Sequence, residues 1–149
     1  MSLLDKINDD LKIALKLKEE LKVNTLRQIK ASITNTEIKK GKTLTDEEIG
    51  EVVFSLVKSH NESIESFKKG NRPDLVTKEE TEMEVLKQYM PKQLSDNEIK
   101  KIVEETIKEL GSITIKDIGK IMGKVIPKVK GKADGNKVNM IVKEILAKF

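Results

Sequence analysis

The chain contains no cysteine, no tryptophan and only one histidine among its 149 residues. Without cysteine it can form neither disulfides nor thiolate metal sites, and it has no cysteine nucleophile. Its first twelve residues are amphipathic and acidic, unlike a signal peptide, and no stretch approaches the roughly 20 apolar residues that span a bilayer. These absences predict a cytoplasmic protein that has no membrane partner.

Aromatic and arginine side chains are almost as scarce. The aromatic residues are Phe54, Phe67, Tyr89 and Phe149, and the three phenylalanines fall on predicted buried stripes. Proteins that bind single strands stack bases on exposed aromatic rings, and arginine reads base edges better than lysine. The only arginines are Arg27 and Arg72. If the chain binds RNA, we therefore expect it to recognise the backbone and the shape of a folded RNA rather than its bases.

Motifs for catalysis and for metal binding are also missing. The sequence has no HExxH, no GxxxxGK[ST] and no GxSxG motif. The single histidine, His60, falls on the polar side of a predicted helix, which predicts a surface position. An acidic run opens the next predicted helix, where carboxylates favour the helix dipole; it comprises Glu79, Glu80, Glu82 and Glu84. We predict no catalytic residue, no metal site and no cofactor.

Apolar residues recur at helical spacing almost throughout, which predicts an all-α protein. Three capping-box patterns predict helix starts, at Thr45 with Glu48, at Thr77 with Glu80, and at Ser95 with Glu98. Pro91 cannot continue a helix. We therefore predict an N-terminal domain of about four helices over residues 1–92 and a small three-helix domain over residues 93–149.

Lysines are concentrated near the C-terminus. Residues 91–149 have 13 lysines and 8 acidic residues, whereas residues 1–90 have 16 basic and 17 acidic residues. Lys116, Lys120, Lys124 and Lys128 recur every fourth residue, so on a helix they form one slowly drifting stripe opposite an apolar face. A solvated charged face is the commoner meaning of such a run, but few carboxylates interrupt it. The predicted phosphate-binding lysines are Lys116, Lys120, Lys124, Lys128, Lys130, Lys132 and Lys137.

The same predicted helix contains Gly119 and Gly123, each of which costs about 1 kcal/mol in a helix interior. Close packing of another helix is the expected compensation, and approach of a ligand's backbone is the alternative. Pro127 should kink this helix or begin a fresh turn. Asp134 is expected to cap the last helix, which would weaken anion binding at that helix N-terminus.

Several segments together resemble a known family over nearly the whole chain. They are Leu26-Arg27, Glu62-Ser63 with Phe67, GNRPDL over residues 70–75, YMPKQLS over residues 89–95, and GKIMGKVIPKVKGKADGNKV over residues 119–138. On these segments the chain resembles a YqeY-type protein of the GatB/YqeY family. Its C-terminal part is similar to the tail domain of the B subunit of tRNA-dependent amidotransferases.

The resemblance implies that the C-terminal domain contacts tRNA or a tRNA-like RNA, with an aminoacyl-tRNA-related enzyme as a possible partner. It also implies a family label, carbon–nitrogen ligase with glutamine as amido-N-donor. In those enzymes the glutaminase and phosphoryl-transfer sites lie in other domains or subunits, and this chain has no room for them. We therefore expect an RNA-binding accessory protein without intrinsic activity. The alternatives are a helical adaptor for a protein partner and a component of such a ligase.

Overall fold

The computed structural model describes residues 2–111 and 114–148, and over these residues the chain is helical without any strand. This confirms the predicted all-α class. The chain divides into two compact units, Met1–Pro91 and Lys92–Phe149. Within residues 2–111 and 114–148, four α-helices form the first unit and three form the second, as predicted from the apolar spacing.

The first unit consists of four helices around one apolar core. They are α1 (Leu3–Lys16), α2 (Glu20–Lys40), α3 (Asp46–Lys69) and α4 (Pro73–Lys87). The most deeply buried side chains are contributed by all four helices and include Ile7, Leu26, Ile29, Ile49, Val53 and Leu86. Burial of the apolar face of each helix is the main source of stability for such a bundle.

The junction between α2 and α3 follows the sequence prediction. Gly41 ends α2 with φ of 68°, a left-handed conformation that glycine adopts without strain. Thr45 Oγ1 then accepts a hydrogen bond from the Glu48 amide, and the Glu48 carboxylate accepts one from the Thr45 amide. A hydrogen bond from Lys40, followed by the one from Thr45, lowers the pKa of Glu48 to about 2.

The predicted start of α4 at Thr77 is wrong, because the helix begins one turn earlier at Pro73. Proline suits the first turn of a helix, where its fixed φ is already helical and its missing N–H has no partner to lose. The Thr77 hydroxyl instead donates to the Pro73 carbonyl oxygen at 3.0 Å, the back-bonding that threonine shows inside helices.

The second unit consists of α5 (Asp96–Leu110), a short 3₁₀ turn (Ile115–Asp117), α6 (Ile118–Val129) and α7 (Gly135–Leu146). Ser95 and Glu98 form the predicted capping box of α5. The core of this unit is formed by Ile99, Val103, Ile121, Val125, Val129, Val138 and Val142. Phe149, expected on the buried stripe of α7, lies outside the described residues.

Pro127 neither ends α6 nor begins a new helix, since α6 continues to Val129. The proline lies in the last turn, where it removes a hydrogen bond to the Gly123 carbonyl. Gly123 is exposed, so water can reach that carbonyl. The apolar stripe of α6 therefore remains continuous up to Val129, which is buried.

Candidate nucleic-acid interface

α6 has one buried face and one exposed face. Ile121, Val125 and Val129 enter the core of the second unit, while Lys120 and Lys124 are exposed on the other side. The 3₁₀ turn that precedes α6 is capped by Thr114, whose amide donates to Asp117 Oδ2 at 2.9 Å. This fixes the turn that holds Lys116, which is also exposed. The local sequence thus places Lys120 and Lys124 on the solvent side of α6 and Lys116 on the 3₁₀ turn before it.

These three lysines form no ion pair with any described residue. Lys116, Lys120 and Lys124 follow each other at four-residue intervals, and Lys120 and Lys124 are about 6 Å apart along the axis of α6. The acidic residue between them, Asp117, uses its carboxylate to hold the Thr114 amide and hydroxyl. We call Lys116, Lys120 and Lys124 the lysine ladder. Its positive charge is available for an anionic partner.

Two of the predicted phosphate-binding lysines are held by other side chains. Lys128 Nζ donates to Thr106 Oγ1 at 3.2 Å and lies 3.5 Å from Glu109 Oε2, both on α5. Because positions four apart on a helix drift by about 40°, the stripe reaches the α5 side at Lys128. Lys137 Nζ lies 2.6 Å from Asp96 Oδ1. Because Lys128 and Lys137 already contact other side chains, we do not count them in the ladder.

The loop between α6 and α7 is fixed by hydrogen bonds from the start of the second unit. Gln93 Nε2 donates to the Gly131 carbonyl, and the Leu94 amide donates to the Lys132 carbonyl. Lys130 is exposed and Lys132 is half-buried. As expected, Asp134 caps α7, with Oδ1 accepting from the Asn136 amide at 2.9 Å. The N-terminus of α7 is therefore already supplied with a carboxylate.

Gly119 and Gly123 lie beside the ladder on the exposed side of α6. Apart from the neighbouring residues and the nearby backbone of α6 itself, a Cβ atom placed on either residue would have no described atom within 4 Å. The expectation that another helix of this chain packs closely against them is therefore wrong for the described residues. The two glycines leave a strip of bare helix backbone open to solvent next to the lysines.

The predicted surface position of His60 is wrong, because the side chain is only 6% exposed. Its Nδ1 contacts Glu79 Oε2 and lies 3.7 Å from Glu82 Oε2, while Nε2 lies 3.4 Å from Gln28 Oε1. The histidine comes from α3, the two carboxylates from α4 and the amide from α2. Glu79 and Glu82 thus face the bundle and do not serve the first turn of α4, which begins at Pro73.

This cluster is the group of residues that the sequence reasoning missed. The spacing of Glu79 and Glu82 places both carboxylates on one face of a helix, a signal that the sequence does contain. Their partner His60 is 19 residues away from Glu79, and nothing in the sequence pairs them.

Among the described residues, no helix is both long enough and apolar enough to cross a membrane.

Known proteins similar to this chain include several named "Altered inheritance of mitochondria protein 41, mitochondrial". Those of Lachancea thermotolerans and Eremothecium gossypii are each 38% identical to this chain over 85 residues, which is 56% of this chain and 46% of theirs. The Saccharomyces cerevisiae protein is 35% identical with the same coverage. The chain therefore spans about half the length of the curated relatives it matches.

The names of these relatives place them in mitochondria, so they do not support the cytoplasmic location that we expected, which stays a prediction for this chain. A family model described as "Yqey-like protein" matches residues 4–146, which include nearly all of both helical units. This match agrees with the resemblance seen in the segments around Arg72, Pro91 and Gly131. The chain belongs to the Yqey-like protein family.

Proposed function

We propose that the second unit binds tRNA or a tRNA-like RNA through the lysine ladder, and that the chain acts as a helical accessory protein. The observation on which the proposal rests is the exposure of Lys116, Lys120 and Lys124, on α6 and the 3₁₀ turn before it, without an ion pair to any described residue. The class of RNA is suggested by the resemblance, noted from the sequence alone, of the C-terminal part to the tail domain of tRNA-dependent amidotransferases.

The two glycines beside the ladder support contact with a nucleic-acid backbone. Lysine heads bind phosphates as point charges, and a helix without side chains at Gly119 and Gly123 lets a sugar–phosphate strand approach closely. The ladder offers three exposed cationic heads to such a strand. The ladder can therefore follow a strand for about three phosphates.

The aromatic residues favour recognition of phosphates and shape over recognition of bases. Tyr89 is 2% exposed, and Phe54 and Phe67 are half-buried. Base stacking by a protein needs exposed rings. We therefore expect a folded RNA to be bound with little preference for sequence and with a strong dependence on salt.

A filter-binding titration with bulk tRNA over a salt series tests the proposal. The parent chain should give a slope of log K against log salt of about −3 for three phosphate contacts. The triple variant Lys116→Gln, Lys120→Gln, Lys124→Gln should lose most of the affinity and most of the slope. The mitochondrial names of the fungal relatives do not conflict with this ligand, since mitochondria contain tRNAs.

The matched control removes three other exposed lysines of the same unit by Lys101→Gln, Lys108→Gln and Lys143→Gln. It changes the net charge equally but leaves the ladder intact, so it should bind tRNA nearly as well as the parent. Equal losses in the two triple variants would show that only net charge matters. Absence of tRNA binding by the parent at low salt would end the proposal.

A protein partner is the second candidate function. The last turn of α1 and the residue after it expose three large apolar side chains, of Ile13, Leu15 and Leu17, each about half or more accessible. A pull-down performed with and without nuclease separates the two functions, because an adaptor keeps its partner after RNA is digested.

A further inference from the structure

The first unit contains a second chemical site, formed by His60, Glu79 and Glu82. One imidazole nitrogen and one oxygen from each carboxylate lie within 4.8 Å of one another. The three side chains are 6%, 19% and 18% exposed, respectively. The group thus lies largely inside the bundle, at the place where α3 and α4 pack together.

The contact with Gln28 on the far side of the imidazole bears on which ring nitrogen has the hydrogen. With Gln28 Oε1 as the acceptor at 3.4 Å, the tautomer that has the hydrogen on Nε2 fits this contact. In that tautomer of the neutral ring, Nδ1 has no hydrogen, and its lone pair faces Glu79 Oε2 and Glu82 Oε2. Three electron-pair donors in contact need a cation between them, either a proton on Nδ1 or a metal ion.

We propose that His60 Nδ1, Glu79 and Glu82 bind a divalent zinc-type transition-metal ion, with Gln28 orienting the imidazole. Zn²⁺ binds nitrogen and carboxylate oxygen at about 2.0–2.2 Å, which in tetrahedral geometry separates ligand atoms by about 3.3 Å. The distance of 3.7 Å between Nδ1 and Glu82 Oε2 is close to this value, and the shorter contact between Nδ1 and Glu79 Oε2 would have to lengthen to admit the ion. Water completes the coordination at the fourth position.

The ligand set distinguishes this ion from the common hard cations. Mg²⁺ and Ca²⁺ take oxygen ligands, whereas imidazole suits zinc and its neighbours in the first transition row. The hydrogen bond from the second ring nitrogen to a protein oxygen is the usual support of a metal-binding histidine. The metal would join α4 to α3, while α2 contributes the supporting amide.

Composition makes the proposal easy to test. His60 is the only histidine, and the chain has no cysteine, so no other imidazole or thiolate can bind zinc. The whole chain, without an affinity tag, is stripped with chelator and equilibrated with Zn²⁺ by dialysis. We expect one zinc ion per chain and a higher thermal unfolding temperature when zinc is present.

The variants identify the ligands. Glu79→Gln and Glu82→Gln should each weaken zinc binding by more than about tenfold, and Gln28→Ala by about tenfold, the effect typical of residues that support a metal ligand. Glu80→Gln is the matched control, because Glu80 lies beside Glu79 on α4 but is exposed. It should bind zinc like the parent. Circular dichroism checks that each variant is folded.

Nitrogen-15 NMR of the single imidazole gives a readout that does not depend on a variant folding. Zinc should shift the Nδ1 signal and leave Nε2 protonated. A purely proton-bridged ion pair overturns the proposal: zinc would then change neither the NMR signals nor the unfolding temperature. Unchanged zinc affinity in folded Glu79→Gln and Glu82→Gln, or full displacement of zinc by equimolar Mg²⁺, would also overturn it. The site lies in the first unit, so its failure leaves the RNA proposal unaffected.

Discussion

Pro91 Cγ lies 2.7 Å from the position that a Cβ atom on Gly50 would occupy. Gly50 lies in the first half of α3 and is buried, and Pro91 is the last residue of the first unit. The proline ring packs directly on the helix backbone because position 50 has no side chain. The segment that leaves α4 is therefore fitted against α3 through one glycine.

Gly50→Ala should therefore destabilise the first unit although alanine favours helices. Alanine gains about 1 kcal/mol of helix propensity, but insertion of a methyl group into a packed site costs about 1–3 kcal/mol. The rigid ring of Pro91 cannot move aside like a flexible side chain. The overlap at 2.7 Å places the cost in the upper part of that range, so we expect a net loss of about 1–2 kcal/mol in the free energy of unfolding, measured by urea denaturation. An alanine variant as stable as the parent would contradict this packing.

Gly123→Ala should have the opposite effect on stability. The position lies within α6, is exposed, and has no described atom within 4 Å of the place that the alanine methyl group would occupy, apart from its own surroundings in the helix. The helix propensity of alanine should then raise the free energy of unfolding by about 1 kcal/mol. If an RNA backbone approaches this strip, the same methyl group should weaken tRNA binding. A variant that is more stable and binds tRNA with unchanged affinity would exclude close approach at Gly123.

Lys128 and Lys137 should contribute less to RNA binding than the ladder does. Lys128 is held by Thr106 and Glu109, and Lys137 by Asp96. An RNA phosphate would have to replace these contacts, which offsets its own attraction. Filter binding should show less than about a twofold loss for Lys128→Gln and Lys137→Gln. Lys120→Gln and Lys124→Gln should each lower the salt slope by about one. The reverse ranking would place the RNA on the α5 side.

Tyr89 should resist ionisation until the first unit unfolds. Burial, and then the hydrogen bond that its hydroxyl donates to Asp10 Oδ2 at 2.6 Å, raise the pKa of Tyr89 above its ordinary value near 10. The unfolded chain therefore releases this proton first as pH rises. The stabilisation is complete below about pH 10 and is lost as pH rises through the folded-state pKa.

Tyr89 is the only tyrosine and there is no tryptophan, so near-ultraviolet absorbance reports tyrosinate directly. We expect it to increase above about pH 10 together with loss of the helical circular dichroism signal. Asp10→Asn should lower the midpoint only in part, because burial is the larger cause. A tyrosinate midpoint near the ordinary tyrosine pKa in a fully helical protein would show that the hydroxyl is not buried against Asp10.

The helix boundaries show where sequence reasoning succeeds. Thr45 with Glu48 and Ser95 with Glu98 form the predicted capping boxes, since each depends only on residues three apart. The same pattern at Thr77 with Glu80 is misleading, because Pro73 has already started the helix. Local patterns predict where a helix can start, and in α4 the start at Pro73 is used instead of the later one at Thr77.

Packing accounts for the other errors. Leu15 and Ile38 fit the helical spacing but are 47% and 73% exposed, so their helices present a narrower buried face than the pattern indicates. Gly119 and Gly123 are expected to pack against another helix, whereas the structure leaves them open. A helical wheel gives the direction of a side chain, but only the neighbouring helices decide whether that direction is covered.

The sequence by itself determined the all-α class, the number of helices, the family and the concentration of positive charge near the C-terminus, because each depends on composition, short spacing or resemblance. The tertiary structure decided which lysines stay free of carboxylates, where Gly50 accommodates Pro91, and how His60 meets Glu79 and Glu82. The glycine–proline contact and the His60–Glu79 contact join residues 41 and 19 positions apart. Such pairs follow from the way whole helices pack, and no local pattern encodes that packing.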